Sequence, residues 1–421
     1  MYVASRVFPD ADTFFSPGAI AVSGGAIVAA GSPADAERAL PSGFERLEFP
    51  GGAILPGLVN AHTHLQIPRL PLPSGGSRRA FVDWILGVIA WKRAAAPEEF
   101  RRNFEEAAAA SLAAGTTTLG EICGPDASVY RDCPMRTRVF AEGVGFAPEV
   151  AGQVLSMVEA AIGRLEEAAN ETGGRVAHGV SPHTLYTVGP ALLALLGGLA
   201  ARKGIPACLH LAESQAEMEF LSSGRGDVAD RLYPAVGKDV SWFGGIGMSI
   251  PRYLRNAGLL RKGLLLVHNV HLARKEIDGL WRSGARFVLC SRSNAAHGNG
   301  SPDVTHFVDA GIPFALGTDS LGSVPDLSMW EEMRAARSLY RGKHPEGELC
   351  RVLFRAATRN GSEALSFPGG ALLPGLPADF VVADDAGGEG VEASIRNLLE
   401  RTAAGNVRLT VVGGRRLWER A

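Results

Sequence analysis

Residues 97–122 read PEEFRRNFEEAAAASLAAGTTTLGEI, a helix followed directly by a strand, and this unit decides the fold. Pro97 stands at a helix start, where its missing N–H costs nothing, and Gly115 stands where a helix ends. The three threonines that follow open a short strand over 116–122. Working outward, the same alternation runs from about Gly51 to Leu365. The pattern predicts strands at 52–60, 116–122, 138–145, 175–182, 205–211, 264–270, 286–291 and 312–318, separated by amphipathic helices. Eight strands in strict β-α alternation predict an α/β fold, a closed parallel (β/α)8 barrel of the TIM type.

The two ends have a different texture. AIAVSGGAIVAAG places two alternating apolar runs around Gly24-Gly25, a hairpin signal, and VRLTVVGGRRLWE repeats the device after ADFVVAD. Neither end buries much surface alone. The expectation is a small β-sandwich domain formed by both termini (1–55 plus 366–421) beside a barrel domain spanning 56–365.

Composition narrows the function. Hydrophobic residues make up 46% of the 421, enough for a large core. Lys plus Arg number 42 against 44 acidic residues with no dense basic run, which argues against nucleic acid or an anionic membrane as partner. No apolar stretch approaches a membrane span, and MYVASRVFPD lacks a signal-peptide pattern. Five scattered cysteines without C-x-x-C spacing read as thiols in a reducing compartment. A cytoplasmic enzyme acting on a small molecule is expected, with a homodimer as the base-rate assembly.

In a barrel of this type the active site lies at the C-terminal ends of the strands. Strand one ends in NAHTH, so His62 and His64, two residues apart, share a face and can grip one ion. Strand five ends in CLHLAES, with His210 at its tip and Glu213 one short turn on. Strand six ends in LLLVHNVH with His268, and strand eight in FALGTDS with Asp319. Four separate strand ends thus each supply a metal-binding or acid-base residue. His62, His64, His210 and Asp319 form a mixed nitrogen and oxygen set for one divalent ion, Zn2+ first, with Fe2+ or Mn2+ as alternatives. Such an ion lowers the pKa of bound water to about 7. Asp319 takes a proton from that water, Glu213 shuttles one to the substrate, and His268 hydrogen-bonds the water or polarises the group under attack. Hydrolysis at an electrophilic carbon follows.

These motifs resemble the amidohydrolase superfamily along the whole chain. GGAILPGLVNAHTHL is similar to its first barrel strand and HLAES to its fifth. LLLVHNVHL, ALGTDSL, AATRNGSEAL and LLPGLPADFVVAD continue the pattern in order. The resemblance implies the same metal set and acid-base roles for Glu213, His268 and Asp319. Strand four reads VAHGVSPHT without the bridging Lys or Glu of binuclear members, which implies one metal. His-x-x-Glu after strand five resembles the branch of nucleobase and nucleoside deaminases and triazine hydrolases, in which the strand-four histidine, here His183, points at the substrate. More narrowly, FVDWILGVI, LGEI, EFLSSGRGD and LCSRSN resemble bacterial aminofutalosine deaminases of the alternative menaquinone pathway. Ser291 stands where a proline is expected, and the insert after strand five is longer than expected.

Other residues carry two readings each. Glu121 ends strand two and either lines the pocket or forms a rim salt bridge. Ser291, Arg292 and Asn294 at the tip of strand seven either touch substrate or bridge loops. Trp84, Trp91, Trp242 and Phe81 stack on a purine or simply pack. His178, His271, His297, His306 and His344 read as structural. The functional expectation is a deaminase acting on a purine-type ring. The alternatives are a chlorohydrolase or cyclic-amide hydrolase on the same site, and a silent barrel used for binding. The silent form usually loses a ligand or the acid-base Glu, and this chain keeps all six positions.

Overall fold

The computed structural model describes residues 1–72, 78–124 and 126–420. Among them, eight parallel strands form one sheet in sequential order: Leu58–Thr63, Thr116–Ile122, Arg136–Gly143, Val176–Pro182, Ala207–Leu211, Leu264–His268, Arg286–Leu289 and Phe314–Leu316. We call these barrel strands one to eight. The sheet rolls up until strand eight meets strand one, where Asp319 N donates to His62 O at 3.1 Å and Thr318 N to Asn60 Oδ1 at 3.0 Å. Gly317 permits that approach, because a Cβ there would lie 2.8 Å from both His62 Cβ and His62 O. The closing contact therefore sits at the very residues expected to hold a metal.

Small and β-branched side chains fill the interior, among them Val59, Ala61, Cys208, Val267, Val288 and Ala315. Leu365 and Phe367 close it at the N-terminal end of the strands. The Arg138 guanidinium is buried against them, donating to Leu365 O and His178 O, and burial pulls its pKa down to about 10. Helix Pro97–Ala113 begins at Pro97 and is followed by Gly115 at φ +92°, as the sequence predicts.

The terminal segments form a seven-stranded mixed sheet, ordered Arg415–Glu419, Val407–Val412, Phe380–Asp384, Leu47–Pro56, Tyr2–Val7, Gly18–Ser23, Ala26–Gly31. Both Gly-Gly turns take left-handed conformations, at Gly24-Gly25 and Gly413-Gly414. One face packs Tyr2, Ile20, Ile54, Phe380, Val382 and Leu409 into a core of its own. One expectation is corrected here. The single strand expected over 52–60 is two: Leu47–Pro56 pairs within the terminal sheet, and the barrel begins at Leu58. Pro56 carries no N–H and Gly57 N turns to Asp379 O, so the ladder breaks between two apolar runs that read as one.

Candidate active site

A cavity of about 560 Å3 opens over the C-terminal ends of the strands, lined at its floor by His64, His183, His210, Glu213, His268 and Asp319. His62 lies just beneath, fully buried. His210 Nε2 stands 3.2 Å from both His62 Nε2 and His64 Nε2. Asp319 Oδ1 lies 3.6 Å from His64 Nε2 and 3.9 Å from His62 Nε2. Ring nitrogens of His62, His210 and His268 also lie within 4.8 Å of one another. The strand tips bend sharply to achieve this: Ala212, His268, Asn269 and Asp319 all have φ between +51° and +72°, a conformation costly for residues with a Cβ and typical of functional sites.

Each floor residue is held from behind. His210 Nδ1 donates to His183 O at 2.7 Å, which puts the proton on Nδ1 and leaves the Nε2 lone pair facing the cluster. Asn294 Oδ1 lies 2.9 Å from His268 Nδ1 and orients that ring likewise. Ser293 Oγ donates to Asp319 Oδ2 at 2.7 Å and Ser323 Oγ at 3.1 Å, so Oδ2 is occupied and Oδ1 is aimed inward. Glu217 accepts from the N–H groups of Ala212 and Glu213, which locks the turn that presents Glu213.

Burial sets the protonation states. It holds His62 and His64 well below the usual histidine range and lowers His183 and His210 to about 3, so these rings are neutral at pH 7. Glu213 is pushed the other way, well above the carboxylate range, by burial first and by the Asp319 charge second. It stands ready as an acid, its Oε2 3.8 Å from His268 Nε2. The donor set passes a simple test for a cation. The lone pair of His210 Nε2 can accept one proton, yet two other imidazole nitrogens and a carboxylate converge on the same space. A divalent ion satisfies all of them at once.

Of the other expected residues, His183 lines the cavity beside His210, its Nδ1 2.8 Å from Thr187 Oγ1. Glu121, Arg292 and Asn294, expected at the substrate, are not among the residues that line the cavity. Glu121 is wholly buried and accepts twice from Leu65 N. Arg292 pairs with Asp326. Asn294 serves His268 instead. Phe81 and Trp84 do line the cavity, whereas Trp91 packs on Phe100 and Trp242 on Phe146. Sequence reasoning passed over Ser293, Ser323 and Glu142. Glu142 ends barrel strand three, the position where a polar residue reads as functional in this architecture, so that signal was available.

Above the floor the cavity wall is mostly apolar, with Lys92, Arg93, Glu142, Lys238 and Asp239 among its lining residues. Helix Arg78–Ala94 contributes Phe81, Trp84, Ile85, Val88 and Ile89; the segment after strand three contributes Phe146, Val150 and Val154; and the insert after strand five contributes Leu232, Tyr233, Val236 and Val240. Over residues 53–417 the sequence matches the amidohydrolase family. The chain belongs to that family. It is 32% identical over 365 residues to an aminodeoxyfutalosine deaminase of Deinococcus radiodurans, covering 83% of this chain and 82% of that protein. It is 29% identical over 429 residues to a 5-methylthioadenosine/S-adenosylhomocysteine deaminase of Nitratidesulfovibrio vulgaris, covering 97% of this chain and 89% of that one. The crystal structure of Helicobacter pylori aminofutalosine deaminase with methylthio-coformycin aligns at TM-score 0.86 and 22% identity over 99% of both chains, a likeness of fold. As an amidohydrolase with deaminase relatives, the chain is a hydrolase acting on C–N bonds. Among the described residues no helix is long and apolar enough to cross a membrane.

Proposed function

We propose that this amidohydrolase removes the exocyclic amine from the purine ring of an adenine nucleoside bearing an apolar 5′ substituent. The observation that carries the reading is the meeting, on one cavity floor, of a cation-ready cluster with a buried Glu213 poised to donate a proton. His62, His64, His210 and Asp319 would hold one divalent ion, Zn2+ by the chemistry of the donors. When bound, the ion supplies the Lewis acidity that makes water a competent nucleophile at neutral pH.

The protein groups then divide the proton traffic. Asp319 accepts a proton from the attacking water while Glu213 delivers one to ring N1, so that a C–O bond forms at C6 and charge does not accumulate on the ring. His268 hydrogen-bonds the incoming oxygen, and His183 orients the ring beside it. Asp319 returns its proton to the amine, the C6–N bond breaks and ammonia leaves, while the proton of the C6 hydroxyl passes back to Glu213 and the ring is left as a hypoxanthine-type C6 carbonyl. The wall supports the nucleoside part of the reading. A cavity of about 560 Å3 falls in the range of drug-sized ligands, and its apolar lining suits a substituent beyond base and sugar. The names of the relatives, aminodeoxyfutalosine and 5-methylthioadenosine/S-adenosylhomocysteine deaminases, point to the same class. Five free cysteines accord with work in the cytoplasm.

The test is ammonia release by zinc-loaded protein from aminodeoxyfutalosine, 5-methylthioadenosine, S-adenosylhomocysteine, adenosine, adenine and guanine. Fast turnover of one substituted adenine nucleoside is expected, lost on chelation and restored by zinc. Silence across the panel with one tightly bound metal per chain would overturn the deaminase reading and move the search to other leaving groups.

A further inference from the structure

Glu142, at the end of barrel strand three, is a carboxylate at the cavity wall with no hydrogen bond from any of the described residues. Its side chain is 13% exposed, and among the described residues its nearest basic groups are beyond hydrogen-bond length: the Lys92 ammonium, Nζ 3.8 Å from Oε2, and the neutral His183 ring, Nε2 3.9 Å from Oε1. Oε1 is buried and has no hydrogen-bond partner among the described residues. Two other buried carboxylates of the barrel have both oxygens hydrogen-bonded: Glu121 by Leu65 N and Glu217 by two backbone N–H groups. A carboxylate offers about four acceptor positions, and leaving them empty at a mostly buried site costs free energy that a donor-bearing ligand recovers.

Position specifies the ligand. The floor cluster, His183 and Glu142 follow one another outward: the rings of His210 and His183 are centred 5.1 Å apart, and His183 faces Glu142 in turn. Resting on the deaminase reading above, a purine with C6 at the floor passes His183 and brings its sugar to Glu142. We infer that Glu142 binds the vicinal 2′,3′-hydroxyls of the substrate ribose, accepting from both while Lys92 donates to a hydroxyl oxygen. Glu142 is on this account the residue that makes the enzyme specific for ribonucleosides. Paired hydroxyls supply two donors at a spacing that a two-oxygen acceptor can take, and they supply acceptors for the ammonium beside it.

The experiment compares kcat and KM of the zinc-loaded wild type on adenosine, 2′-deoxyadenosine, 3′-deoxyadenosine and 2′,3′-dideoxyadenosine, then repeats the series with Glu142→Gln. Wild type is expected to lose on the order of 10²-fold or more in kcat/KM when both hydroxyls are absent, because a site built around a substrate hydroxyl rejects analogues without it. In Glu142→Gln the ratio between adenosine and its dideoxy analogue should collapse toward one. The analogue series on the wild type does not depend on the variant folding. Equal turnover of all four nucleosides by wild type overturns the inference and leaves the deaminase standing. So does a preference for the ribose that survives unchanged in Glu142→Gln. No turnover of any adenine nucleoside, neither of this series nor of the 5′-substituted ones in the panel above, defeats the deaminase reading and the inference with it.

Discussion

At the floor of the cavity nearly every functional atom has a partner behind it, whereas the wall, apart from a few polar residues such as Glu142 and Lys92, meets the cavity through apolar side chains. Asp319 is tied by Ser293 and Ser323, His268 by Asn294 and His210 by the His183 carbonyl. Phe81, Ile85, Phe146, Tyr186, Leu232 and Val240 belong instead to one apolar cluster of their own, separate from the barrel interior. The floor holds atoms to an orientation and the wall holds a shape. Chemistry depends on the first, and choice among related substrates on the second.

Substitutions can break that division. Asp319→Asn should lower turnover by roughly 10⁴-fold or more while the protein stays folded by circular dichroism, since the amide cannot take a proton. Unchanged activity would remove Asp319 from the mechanism. Glu213→Gln should cost about 10²–10³-fold in kcat with zinc content unaltered by elemental analysis. A parallel loss of metal would make Glu213 a ligand and undo the division of roles. Asn294→Ala frees the His268 ring and should cost about 10–100-fold in kcat, with little change in KM. On the wall, Ile89→Ala should raise KM for a substituted adenine nucleoside roughly tenfold and spare kcat, the mark of a contact equal in ground and transition states. A loss confined to kcat would give the wall a chemical role.

The smallest effect concerns Glu332, beneath the strand-seven tip. Burial raises its pKa from 4.5 to about 8, so the folded protein holds this proton more tightly than the unfolded chain does. Its contribution to stability is complete below pH 4.5 and is lost as the pH rises to about 8. Glu332→Gln does not titrate, so its Tm should fall less than that of the wild type across this window. Parallel Tm curves would show that Glu332 is ionised throughout.

The floor was legible in the sequence and the wall was not, for a physical reason. His62 and His64 had to share a face because strand side chains alternate, and His210, His268 and Asp319 each follow an apolar run that ends at a strand tip. The hydroxyls of Ser293 and Ser323 carry no such signature, since a serine near a strand end is common and its partner is distant in sequence. Glu121 shows the converse case: it sits at a strand tip, but its side chain turns under the loop after strand one and accepts from Leu65 N. The wall draws on a helix, a loop and an insert that have no common period, so Trp84 could be singled out as aromatic but not placed. The split at Pro56-Gly57 was hidden because apolar residues flank it on both sides.

The join between strands eight and one has a mechanical consequence. His62 and His64 lie on one side of it and Asp319 on the other, so the proposed ion would act as a clasp across the barrel's closing edge. Chelation should then do more than silence the enzyme. Amide protons of residues 314–319 should exchange faster while those of strands two and three are unchanged, and proteases should find their first cut near that edge.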